Sequence, residues 1–128
     1  MSLSSHQDPI IQKAMVLLQK KSYKKLRALL KKFPKHLAQE SVEFELQILA
    51  DEGPPEALSK AFDRYLDRFD KILLSNLEVA VRVKVDLGEN DQALAIAERI
   101  FAEDPYNHTA INAVYVVYVN TRKKTARV

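Results

Sequence analysis

Leu77-Glu78-Val79-Ala80-Val81-Arg82-Val83-Lys84-Val85-Asp86-Leu87 places an apolar residue at every odd position. Such alternation reads as a half-buried strand, because successive strand side chains point to opposite faces of a sheet. The same residues also hold a helical stripe, since Leu77, Ala80, Val81 and Lys84 fall on one side of a 3.6-residue period. Upstream, Ser75-Asn76-Leu77-Glu78 has capping-box spacing, and Gly88 stands where a helix would end in a left-handed residue. Valine costs only about 0.5 kcal/mol in a helix relative to alanine, and burial outweighs that. The stretch is therefore either a strand or a valine-rich helix.

The strand reading would pair 77–87 in parallel with the segment from Ala110 to Val119, joined by the helix between them through a right-handed crossover. Both segments are rich in Val and Tyr, which suit strands. Two strands make a poor sheet, however, and the first 70 residues supply no third. Only Gly53 and Gly88 are available for tight turns or a glycine-rich phosphate cradle.

Elsewhere the punctuation is helical. Asp8-Pro9 supplies a capping side chain and a proline at the first helical position, followed by a stripe of Ile10, Ala14 and Leu17. Ser22 begins a second helix carrying Tyr23, Leu26, Leu30 and Phe33, which Pro34 ends. A third helix spans about 37–51 with Val42, Leu46 and Leu49 inward. Gly53-Pro54-Pro55 separates it from a fourth bearing Leu58, Ala61, Phe62, Tyr65 and Phe69. With 75–87, 91–102 and 110–119, this gives seven helices.

The chain has 128 residues, enough for one domain with its own core, and no cysteine. Disulfides, thiolate catalysis and cysteine-bound zinc are thereby excluded. No apolar run approaches the roughly 20 residues of a membrane span, and the start lacks a secretory apolar core. A cytoplasmic location follows as the expectation. Residues 1–7 read as a flexible leader, 8–121 as a single helical domain and 122–128 as a basic tail. The net charge of +3 conceals segregation. Residues 1–36 carry nine Lys/Arg against Asp8 alone, the tail adds four basic residues, and the body between is acidic.

Gly88-Glu89-Asn90-Asp91-Gln92-Ala93-Leu94, with Ala97, Ile100 and Asp104-Pro105-Tyr106-Asn107, resembles the second helix of a tetratricopeptide repeat. About 20 residues carry the resemblance. Asn90 stands where that family usually has tyrosine, and Ala97 where it often has an aromatic. One repeat length upstream Gly53 falls at the position of Gly88, and a further step reaches Lys21. The resemblance implies an all-α fold: antiparallel helical hairpins stacked as a short right-handed TPR-like α-solenoid of about seven helices. The alternative is an irregular helical bundle.

In such arrays the first helix of each hairpin lines a concave groove. The resemblance places Ile11, Met15, Leu18, Glu40, Glu43, Gln47, Asp51, Glu78, Arg82, Asp86, Asn112 and Val116 on it. The implied activity is non-catalytic: an adaptor, scaffold or assembly factor holding a basic or amphipathic peptide or helix. The lysine/asparagine clamp that some members use for a C-terminal carboxylate is missing. The last segment, 110–119, is so apolar that it is either fully buried as a last helix or covered by a second copy, another partner or a further part of a longer protein.

Signals for chemistry are sparse. His36, Glu40 and Glu43 share metal-ligand spacing, but carboxylates near a helix start also complement its dipole. No serine or threonine sits in a nucleophile turn, and no cofactor is expected. Lys20, Lys24, Arg27 and Lys31 make a basic stripe. It is either a solvated face or, as the alternative function, a surface for an acidic protein or nucleic acid.

Overall fold

The computed structural model describes residues 8–126, and over them the chain forms seven α-helices and one 3-10 turn, with no strand. It divides into two compact units at Ala57/Leu58. No helix among the described residues is long and apolar enough to cross a membrane. The leader expected at residues 1–7 lies outside them.

The first unit holds α1 (Pro9–Gln19), α2 (Tyr23–Leu30), a 3-10 turn (Lys35–Leu37) and α3 (Ala38–Glu52). Asp8 caps α1 by accepting the Ile10 N–H at 3.0 Å. At the other end Lys21 adopts φ +57°, and Ser22 N–H reaches back to Leu17 O at 3.0 Å. Ile11 and Ala14 of α1, Leu26 and Leu30 of α2, Leu37, and Phe44 and Ile48 of α3 form the buried cluster. Phe33 and Phe44 meet edge to face at 6.1 Å. On α3, Val42 and Leu49 are only half-buried. Phe44 and Ile48, four residues apart, face this core instead.

The second unit carries α4 (Pro55–Arg68) from Leu58 onward, α5 (Leu74–Asp86), α6 (Asn90–Glu103) and α7 (His108–Ala126). Here the alternating stretch is a helix. Its burial follows the 3.6 period, not the 2.0 period: Leu77, Ala80, Val81 and Lys84 are buried, whereas Val79, Arg82 and Asp86 are exposed. The helix begins at Leu74, so Ser75 lies inside its first turn and the expected capping box does not form. Leu73 O takes the first amides, from Asn76 at 3.0 Å and Leu77 at 3.2 Å. The basic segment from residue 122 continues α7 as far as Ala126.

Helices α5, α6 and α7 pack on one another through small residues that allow close approach. Ala80 of α5, Ala93 and Ala97 of α6, and Ala110 and Ala113 of α7 are all buried. Lys84 is fully buried as well and ties α5 to α4. Its ammonium donates to Ser59 Oγ at 2.6 Å and to Asp63 Oδ1 at 2.6 Å, with Glu89 at 3.7 Å. Arg99 of α6 donates to the Leu66 and Asp70 carbonyls at 3.5 and 3.4 Å, covering the C-terminal end of α4.

Candidate functional site

The feature of the second unit best suited to recognition is a pocket of about 410 Å³ lined by Arg82, Val85 and Asp86 of α5 and His108, Thr109, Asn112 and Ala113 of α7. Helical spacing builds it. Arg82 and Asp86 lie four residues apart on the side of α5 opposite the buried stripe, and His108 and Asn112 have the same spacing on α7. Arg82 Nη2 donates to Thr109 Oγ1 at 3.3 Å and so bridges the two walls. Among the described residues neither Arg82 nor Asp86 is in an ion pair, and both are exposed, so the pocket presents a cation and an anion to solvent.

One end of the pocket is fixed by Asn107, which is 5% exposed. Its side-chain oxygen accepts the Ala110 N–H at 3.0 Å and caps α7, while Nδ2 donates to Glu78 Oε2 at 2.7 Å and Asp104 Oδ2 at 3.2 Å. Glu78, expected on the groove, is therefore half-buried and engaged by Asn107. Of the groove residues expected on this unit, the structure brings Arg82, Asp86 and Asn112 to one pocket, and Val116 is half-buried one turn beyond Asn112. His108, Thr109 and Asn107 were missed as site residues. The i, i+4 spacing of His108 and Asn112 was the available signal.

The other expected groove residues belong to the first unit. Ile11 is corrected: it is 3% exposed and part of the core, because α1 turns it toward Leu26 and Ile48 with Ala14. Met15 and Gln47 are exposed, Leu18, Glu40 and Glu43 are half-buried, and Asp51 is exposed. Asp51 accepts a hydrogen bond from the Tyr23 hydroxyl. That bond, then partial burial and the charges of Asp51 and Glu52, pushes the phenol up to about 12.

The basic stripe loses one member to a similar pairing. Arg27 Nη2 lies 3.0 Å from Glu45 and 2.9 Å from Glu52, which fixes α2 to α3. The hydrogen bond to Glu45 is the main reason its guanidinium is held charged beyond its ordinary range. Lys20, Lys24 and Lys31 are exposed.

The other polar constellation sits at Lys84, where Ser59 Oγ donates to Glu89 Oε1 at 2.5 Å and accepts from Lys84 at 2.6 Å. Ser59 is 3% exposed and Lys84 fully buried between carboxylates, so no substrate reaches this hydroxyl. Among the described residues no group of three or more His, Asp or Glu side chains is placed to hold a metal ion. Against known proteins, the chain matches no family model, no curated protein and no solved structure.

Proposed function

We propose that this chain is a non-catalytic protein-interaction module of tetratricopeptide-like build, with the α5–α7 pocket as the place where a peptide or helix docks. The observation that carries the reading is the pocket itself. It offers the Asp86 carboxylate, in no ion pair among the described residues, a bridging guanidinium and a neutral amide, with Val85 and Ala113 as apolar floor. Asp86 suits a lysine or arginine of the incoming segment, Asn112 a peptide group of its backbone, and Val85 and Ala113 an adjacent aliphatic side chain. The partner is thus a basic or amphipathic segment.

Peptide display on the purified chain, followed by fluorescence anisotropy of the selected sequences, tests this. The selected peptides share a basic residue, and Asp86→Lys weakens them at least about tenfold, as expected for loss of one charge-assisted bond. Asn112→Ala weakens them less. Both side chains are exposed, so circular dichroism of the variants stays that of the parent. Selected peptides that bind Asp86→Lys as well as the parent would sink the reading.

A second reading rests on a separate observation in the first unit. Lys13, Lys20, Lys21, Lys24, Lys25, Lys31, Lys32 and Lys35 are all exposed, and none is in an ion pair among the described residues. Such a field attracts an acidic protein surface or a nucleic acid.

A further inference from the structure

Helix α7 buries one side and leaves a continuous apolar stripe on another. Ala110, Ala113 and Val117 are at most 4% exposed and pack toward α5 and α6. Ile111, Val114, Tyr115 and Tyr118 are 47%, 37%, 65% and 56% exposed. Their spacing of three, one and three residues puts all four on one face, adjacent to the pocket wall but distinct from it. Exposing two tyrosines and two aliphatics in one row leaves much apolar surface in water, far more than scattered single residues would.

The stripe is its own complement. Its spacing reads the same in both directions about a point between Val114 and Tyr115. An antiparallel copy therefore sets each tyrosine against an aliphatic residue, Tyr118 on Ile111 and Tyr115 on Val114. A parallel copy would instead stack tyrosine on tyrosine. Charge selects the same direction. The C-terminal part of α7 carries Arg122, while Glu103 ends α6 and Asp104 stands in the turn before α7 begins. Antiparallel pairing brings each basic end to the other copy's acidic turn, and parallel pairing brings like charges together. Arg122 is already oriented at the edge of the stripe, its guanidinium 5.7 Å from the Tyr118 ring centre and bonded to the hydroxyl at 3.0 Å.

We infer that the exposed face of α7 is a homodimer interface in which two copies pair antiparallel about a two-fold axis between Val114 and Tyr115. The four side chains offer on the order of 400 Å² per copy, below the area of a permanent dimer, so association is weak and reversible. It leaves the α5–α7 pocket open on each copy, so the dimer is bivalent for any segment that docks there.

The absence of cysteine makes the geometry directly readable by cross-linking. Val114→Cys stands next to the axis and oxidises to a covalent dimer. Ile111→Cys does not, because its copy lies about 10 Å away along the helices. Mixing Ile111→Cys with Tyr118→Cys protein restores a cross-link. By light scattering, the mass of the unmodified chain rises from 14.6 kDa toward twice that value between about 10 µM and about 1 mM. Tyr115→Glu, at an exposed site, keeps its helix content and stays at the lower mass. A chain that remains monomeric at about 1 mM overturns the inference. So does equal cross-linking of Val114→Cys and Ile111→Cys, which indicates parallel or random contact. Peptide binding is measured separately at low concentration, so failure of the dimer leaves the pocket reading untouched.

Discussion

Lys84 follows three apolar residues on the buried stripe of α5, and its burial is tolerated only because the ammonium ends among oxygen acceptors. Asp63 and Glu89 keep side-chain exposures of 48% and 34%, so the pair is buried on one side alone. That asymmetry predicts the outcome of substitution. Lys84→Met removes the buried charge and leaves both carboxylates able to hydrate, so its cost stays within about 1 kcal/mol. Lys84→Glu sets a third carboxylate beside two others and costs more than about 3 kcal/mol. Urea denaturation distinguishes them; equal losses would mean that packing of the stem, not charge, decides the site. The same residue shows the limit of pattern reading. Spacing alone placed Lys84 on the inward side of a helix, but Ser59 and Asp63 lie more than 20 positions away in the chain, and no periodicity names them as its acceptors.

The turns after α1 and α5 share one backbone geometry. After α1, Lys21 sits at φ +57° with Ser22 N–H bonded to Leu17 O and its own N–H to Leu18 O. After α5, Gly88 sits at φ +73° with Glu89 N–H bonded to Lys84 O and its own N–H to Val85 O. The two turns are the same motif. Gly53 departs from it: it directly caps α3, bonding to Leu49 O at 2.8 Å, because Pro54 and Pro55 forbid the continuation. A side chain at a left-handed position costs about 1 kcal/mol. Lys21→Gly therefore stabilises the chain by up to about 1 kcal/mol, and Gly88→Ala destabilises it by about the same amount. Nothing lies within 4 Å of a Cβ built on Gly88, so the second cost is purely one of backbone. Thermal melts of both variants check the pair, and shifts of the same sign would contradict it.

Across the molecule, charge is partitioned by unit and partly consumed internally. The acidic side chains of α3 satisfy Arg27 and Tyr23, and Asp63 with Glu89 satisfies Lys84. The lysines around α1 and α2 keep their charge facing solvent. If they form a polyanion site, heparin or single-stranded RNA binds with a steep salt dependence. Lys24→Glu with Lys31→Glu then lowers the slope of log affinity against log salt by about 1.5 to 2. Salt-insensitive binding, or a slope unchanged in the double variant, counts against that site. The sequence by itself determined the helices outside 77–87 and 110–119 and most of their ends, because prolines, caps and 3.6-residue stripes act over one or two turns. The structure decided that those two segments are helices as well. The sequence also placed Arg82, Asp86 and Asn112 on faces able to meet. Only the tertiary structure decided that Ile11 is core, that Asn107 engages Glu78, that His108 and Thr109 complete the pocket, and that α7 leaves four apolar residues outward. Those outcomes depend on which faces of separate helices touch, and contacts between residues far apart in the chain leave no periodic trace in it.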